Sequence, residues 1–292
     1  MVEGAVCPVT AVAAAAGVAA AAWCAIRSEE KPSAARFAAV STLVFAAQMM
    51  NFPVQSGTSG HMMGGVLAAA LLGTPFGVLA LALVLAVQCV IFSDGGLAVL
   101  GANVLNMAVI GAGVGGWLAG RWRGLAAGAL ARVGLAAWVS VILAALACSA
   151  ELAFGGAVPF AKSAPVMLGV HALIGLGEAA LTVLAVVLVP AMGTGGRRSV
   201  AIPALAAVVI AMVLSPFASG FPDGLEWAAE KLGILKEAAP AFATPLTDYA
   251  LSGVSQDFLA ASLAGGAGVA AVFVLGLLTA RLWTRGPAAA RA

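Results

Sequence analysis

The sequence predicts an all-α polytopic membrane protein, and three observations carry that expectation. Of its 292 residues, 63% are apolar and only 9% are charged, whereas a soluble domain carries roughly 25% charge to wet its surface. Mean hydropathy is +1.09. Apolar runs longer than the roughly 18 residues that suggest a bilayer span recur along the chain. A water-soluble globular domain is excluded. The formal net charge of +2 is too small to argue for nucleic acid as a partner.

Glycines, prolines and charge clusters divide the chain into nine candidate spans. The first, 8–26, has no basic leader, since its first cation is Arg27. That argues against a cleaved signal peptide and for an amino terminus outside the cytoplasm. The second, 37–51, leads into a polar string. The third, 62–73, is short, so it is either tilted deep into a bundle or partly re-entrant. The remaining six run over 76–92, 98–120, 125–149, 166–190, 199–217 and 259–282.

Charge tests this count. With the amino terminus outside, the cytoplasmic side receives Arg27, Lys31, Arg36, Arg121, Arg123, Arg132, Arg197, Arg198, Arg281, Arg285 and Arg291, which is 11 of the 14 cations. Only Lys162, Lys231 and Lys236 stay outside. The positive-inside rule therefore predicts the amino terminus out and the carboxyl terminus in, in a multi-pass protein of the plasma (inner) membrane.

Two parts follow. Residues 1–198 form a seven-span core, and 199–292 add two spans around a long external segment at 218–258. That segment holds six acids (Asp223, Glu226, Glu230, Glu237, Asp248, Asp257) and several prolines. It is expected to be a small, partly helical cap, with Asp223 as N-cap of 225–232. Small residues at helical spacing (Ala112, Gly116, Gly120; Ala13, Gly17, Ala21) suit close helix approach, within the chain rather than with partners. Cys7, Cys24, Cys89 and Cys148 form no C-x-x-C pair and are expected to act as small apolar residues.

Polar residues are costly inside a membrane, so their concentration points to function. The densest string runs from Gln48 through Asn51, Pro53, Gln55, Gly57, Thr58, Ser59 and Gly60 to His61, one of only two histidines. It is expected to be an external loop stiffened by Pro53 and loosened by Gly57 and Gly60. Imidazole suits divalent Ni, Co, Cu and Zn, and glycine lets backbone approach an ion. A hydrogen-bonded loop histidine is the plain alternative.

The second histidine, His171, lies seven residues before Glu178, so the two share a helix face about two turns apart. Either they belong to a structural hydrogen-bond network or they support a metal pathway. Gly175 and Gly177 are expected to admit a neighbouring helix. Asn103 and Asn106 share a face and suit interhelical hydrogen bonding. Glu178 stands as the one carboxylate expected within a span, which disfavours a secondary metal transporter built on acid relays.

Other chemistries are weaker. Met49, Met50, Met62 and Met63 would suit Cu(I), but methionine fills cores far more often. Gly57-Thr58-Ser59-Gly60 fits the G-x-S-G of rhomboid-type intramembrane serine proteases, with His171 as a base, though four residues match cheaply in a chain with 36 glycines. No Walker A pattern occurs, so ATP hydrolysis through a P-loop is excluded.

Longer motifs carry a family resemblance. The strings Phe45-Ala46-Ala47-Gln48-Met49-Met50-Asn51-Phe52-Pro53-Val54, Gly57-Thr58-Ser59-Gly60-His61, Asp94-Gly95-Gly96-Leu97, Gly101-Ala102-Asn103-Val104-Leu105-Asn106-Met107 and His171-Ala172 with Ile174-Gly175 and Gly177-Glu178 resemble the M-type substrate-specific component (CbiM/NikM) of cobalt and nickel energy-coupling-factor (ECF) transporters. The match covers about 3–195. Phe221-Pro222-Asp223-Gly224-Leu225-Glu226-Trp227 is similar to the PDGLE domain, the N-type auxiliary component, over most of 199–292.

The resemblance implies a capture subunit for Ni2+ or Co2+, not an enzyme, with a transmembrane coupling subunit (T- or Q-type) and cytoplasmic ATPases as separate partners. It implies His61 as a metal ligand, Gly57, Ser59 and Gly60 as shapers of the loop, and Asn51, His171 and Glu178 as its supporting surroundings. It also implies a terminal amine and a second-position histidine as ligands, a nitrogen set that suits Ni(II). Here the sequence begins Met1-Val2-Glu3-Gly4. In relatives an acidic-Gly pair closely follows Met-His, and Glu3-Gly4 matches that pair. The expectation is that a native Met-His precedes Met1, which intact mass would settle. If Met1 is the true start, its amine is the ligand and the imidazole is missing.

Overall fold

The computed structural model describes residues 4–55, 57–120, 125–189, 196–235, 242 and 244–284. In chain order these form α1 (Val6–Arg27), α2 (Ala34–Gln48), β1 (Asn51–Gln55), β2 (Thr58–His61), α3 (Gly65–Leu72), α4 (Thr74–Ile91), α5 (Leu100–Ala119), α6 (Ala127–Phe154), α7 (Phe160–Leu188), α8 (Arg198–Phe217), α9 (Gly224–Leu232) and α10 (Asp257–Thr284). Seven of the described helices are long and apolar enough to cross a membrane: α1, α4, α5, α6, α7, α8 and α10. The helical membrane fold expected from composition is present.

The second and third expected spans differ. Residues 37–51 become α2, a 15-residue helix ending at Gln48, and 62–73 become α3, with eight residues. Eight residues rise about 12 Å, well short of a hydrocarbon core of about 30 Å. Two anchors fix its place in the bundle. At one end, Arg36 of α2 donates from Nε and Nη2 to the Leu71 carbonyl near the end of α3, at 3.2 and 2.9 Å. At its start, α3 follows Met63 and Gly64, whose amides bind Glu178. Glu178 lies ten residues before the end of α7, about 15 Å along its axis. The base of the β1–β2 hairpin therefore reaches into the bundle, where α3 continues it.

The string expected as a loop is thus a two-stranded hairpin, with Thr58, Ser59 and Gly60 of its second strand buried and Pro53 and Gln55 of its first exposed. Irregular backbone is tolerated at such depth where protein covers it and its polar groups are paired. Here the two strands pair with each other, Asn51 opposite His61 and Pro53 opposite Ser59, and Glu178 takes the amides that follow.

Neither α8 nor α10 is a loose appendage, because both pack on α2. A Cβ on Gly276 of α10 would come within 2.9 Å of Ala38 Cα. Trp283 meets the rings of Phe37 and Phe76 edge-on at 4.9 and 5.1 Å. Between Arg36 and Ala46, every residue of α2 is buried. The small-residue stripes serve packing within the chain, as expected: Gly17 makes room for Val109, and Gly116 for Ala69 and Thr74.

The segment between α8 and α10 is tied down at two places. Its first part follows the hairpin. Its second part crosses the end of α4, where the Thr244 hydroxyl donates to the Ile91 carbonyl at 2.5 Å and the Asp248 amide to Phe92 at 3.1 Å. Tyr249 stacks on Phe92 at 4.6 Å and donates to Asp94 at 2.6 Å. Burial, and then the Asp94 charge, hold its phenol well above the ordinary ionisation range. The N-cap expectation also holds. Asp223 Oδ1 accepts from the Leu225 and Glu226 amides at 2.8 Å each, and Glu226 accepts from the Asp223 amide, closing a capping box at α9.

Candidate functional site

The hairpin presents its residues through contacts that explain its composition. Gly57 has φ +82, a left-handed conformation with open space around it, which suits the turn. Gly60 does something else. A Cβ there would lie 2.7 Å from Ile174 Cγ1 of α7. The expectation that it loosens a loop is corrected: glycine lets the strand press onto α7. Gly177 likewise makes room for the ring of Phe52, whose Cζ would lie 2.6 Å from an added Cβ. So α7 admits the hairpin there, while Gly175, 2.9 Å from Trp138 Cδ1 by the same measure, admits α6 as expected.

Ser59 is fully buried. Its amide donates to the Pro222 carbonyl at 2.8 Å, and its hydroxyl to the Phe221 carbonyl at 2.8 Å. The amide of Ser219 donates to the Asn51 carbonyl at 2.8 Å. Asn51 therefore contributes through its backbone. Residues 219–222 thus lie along the hairpin, and the serine is a clasp between two distant parts of the chain. Its proton is committed to a backbone acceptor, and no histidine bonds to it among the described residues, so the nucleophile of a protease is absent from this geometry.

His61 ends β2 with its side chain one-third exposed. Its Nδ1 lies 3.3 Å from the Met62 carbonyl. A carbonyl only accepts, so in the neutral imidazole that contact places the proton on Nδ1 and leaves the Nε2 lone pair free. Nε2 faces Asp223 Oδ2 at 3.8 Å. Asp223 thus uses one oxygen to cap α9 and turns the other toward the imidazole.

His171 has the same arrangement, with Nδ1 2.8 Å from the Met167 carbonyl. A Cβ on Gly224 would stand 3.3 Å from its Nε2, so glycine at the start of α9 keeps that nitrogen uncovered.

Glu178, fully buried, anchors the base of the site. Its two oxygens accept from the Met63 amide at 2.6 Å and the Gly64 amide at 2.9 Å. Gly64 takes φ +73 to turn its amide inward, and Gln48 donates to the Met63 carbonyl at 2.8 Å. The peptide that follows His61 is gripped from both sides. The adjoining Met62 and Met63 side chains are buried in apolar clusters, which favours core filling over copper ligation.

Two residues escaped the sequence. Asp223 read only as a helix cap. Glu151, three residues before the end of α6, fell just outside the expected sixth span, yet it is buried and accepts from Asn106 Nδ2 at 2.9 Å. Glu178 is therefore not the only carboxylate in the bundle. Of the two asparagines expected to join helices, Asn106 does so; the Asn103 amide sits instead beside Gly95 in the loop that precedes α5. Met1 lies outside the described residues. Among the described residues, no group of three or more His, Cys, Asp or Glu side chains is gathered tightly enough to hold a metal ion.

Known proteins share both parts of this arrangement. Residues 1–194 match the family described as the cobalt uptake substrate-specific transmembrane region, and 197–285 match the PDGLE domain. A protein of Archaeoglobus fulgidus, provisionally named fused nickel transport protein NikMN, is 35% identical over 84% of this chain and 85% of its own length. The fused nickel transport protein NikMN of Rhodobacter capsulatus is 40% identical over 39% of this chain and 34% of its own. A crystal structure of a truncated transition metal transporter superposes with a TM-score of 0.53 at 27% identity, covering 63% of this chain and 92% of that one.

Proposed function

Because the chain belongs to the cobalt uptake substrate-specific transmembrane family, we propose that it is the membrane subunit that captures Ni2+ or Co2+ for import. One observation carries the reading most directly. The His61 imidazole is fixed by a backbone carbonyl at Nδ1 and presents a bare Nε2 to a carboxylate 3.8 Å away. Metal-ligating histidines are commonly held in this way, with the far nitrogen bonded and the near one free.

The gap suits an ion. With metal–ligand bonds of about 2.1 Å, two ligands of one ion lie at most about 4.2 Å apart. His61 supplies the nitrogen, and Asp223 closes over it from the accessory part. Ser59 and Gly60 seat the strand, Gly57 turns it, Asn51 pairs with it, Glu178 fixes the peptide beyond it, and His171 stands behind. The described side chains supply two donors, so the remaining ligands come from the amino terminus, as the resemblance implies, or from water.

In this reading residues 1–198 are the capture core, and 199–292 are the accessory part that clasps it through Ser59. The hairpin end faces outward and the Arg36 end inward, consistent with the charge distribution. Uptake is driven by ATP on cytoplasmic ATPases, coupled through a separate transmembrane subunit of the ECF type, and this chain does not hydrolyse ATP. The fused relatives are named for nickel, which supports nickel over cobalt. Metal accumulation in cells expressing the chain with its coupling and ATPase subunits tests the proposal. Uptake should vanish with His61→Ala and persist with Ser59→Ala. Unchanged uptake with His61→Ala would refute the assignment.

A further inference from the structure

The Asn106–Glu151 pair is buried but unfinished. Asn106 is 8% exposed and Glu151 6%. One hydrogen bond joins them, from Asn106 Nδ2 to Glu151 Oε2. The other two oxygens, Asn106 Oδ1 and Glu151 Oε1, have no partner. A buried acceptor without a partner is destabilising, and more so when charged. Two such oxygens, one on a carboxylate, call for a cation. Asn106 also sits on a π-helical stretch, Val104–Val114, within α5, an irregularity that often marks functional positions.

Position gives the pair a use. Glu151 lies near the hairpin end of the bundle, three residues before the end of α6. His171, eleven residues into α7, lies deeper along the adjacent antiparallel helix. Cys148, one turn from Glu151, packs with Leu225 of α9 on the cluster of Ala145, Met167 and Ala228, and Asp223 at the start of α9 faces His61. The cap helix thus spans from the Glu151 end of α6 to the imidazole.

We propose that Asn106 and Glu151 form a second divalent-cation site, weaker than the one at His61. Carboxylate and amide oxygens are hard donors that suit weak, water-assisted binding, whereas imidazole nitrogen holds Ni2+ or Co2+ more firmly. The proposal stands beside capture at His61, and the two assignments fail separately.

The test uses the full chain in nanodiscs with Co2+ alone. Equilibrium dialysis should give one tight and one weak Co2+ per chain. Glu151→Gln should abolish the weak site and keep the tight one. Asn106→Asp adds a second carboxylate and should tighten the weak site; a merely structural pair would instead be destabilised and gain no Co2+. The proposal is overturned if the wild type has no weak site, if Glu151→Gln leaves the weak site unchanged, or if Asn106→Asp fails to tighten it. A wild type that shows the weak site and no tight one would refute capture at His61 and leave the Asn106–Glu151 site standing.

Discussion

Glu178 and Glu151 are acids of the same bundle, on neighbouring antiparallel helices, and both are more than nine-tenths buried. Their surroundings treat them in opposite ways. Glu178 receives two backbone amides, one on each oxygen. Glu151 receives a single side-chain amide and keeps one oxygen bare. A carboxylate whose oxygens are both occupied holds a peptide in place. One left half-occupied inside a protein offers the open oxygen to something that arrives. The same residue type thus separates the part that shapes the loop from the part that can receive a cation.

The largest effect tests the closed member of the pair. Glu178→Ala removes both acceptors from the buried Met63 and Gly64 amides, and orphaned buried donors cost about 1–3 kcal/mol each. The thermal unfolding midpoint in detergent should fall sharply and metal binding should be lost with it. A midpoint equal to wild type would show that Glu178 is not the anchor. Gly65→Ala probes the same turn by volume, because the new Cβ would lie 2.5 Å from the Gly111 carbonyl carbon. Overpacking of this kind costs about 1–3 kcal/mol, again read as a lowered midpoint.

Smaller effects probe the clasp and the open acid. Ser59→Ala removes the hydrogen bond to Phe221, a loss of about 1 kcal/mol. Protection of the Ser59 amide from hydrogen exchange should fall while uptake largely persists; lost uptake with unchanged protection would instead give the hydroxyl a chemical role. Glu151→Gln should leave stability near wild type or raise it, since removing a buried charge without a counter-charge relieves desolvation. A large drop in midpoint would make Glu151 structural, as Glu178 is.

Much of the fold was legible in composition. Seven of the nine expected spans appear as long apolar helices, because hydrophobic length is a local property. The hairpin was not legible. Its Gly, Ser and Thr residues look like a solvent loop until Glu178, more than a hundred residues on, supplies the acceptors that let its base lie inside the bundle. His61 stood out because histidine is rare in such a chain. Asp223 was read correctly as a cap, but a carboxylate has two oxygens, and only tertiary structure brings the second to His61. Glu151 was missed because it follows the last residue assigned to an apolar run, while α6 continues to Phe154.

The most direct test of capture at His61 is Ni2+ binding to the purified full chain, measured by calorimetry on wild type and His61→Ala at matched folding. Wild type should bind Ni2+ tightly, and the variant should lose affinity by about a hundredfold or more. Equal affinity in the two proteins would contradict the assignment and place the ion elsewhere in the chain.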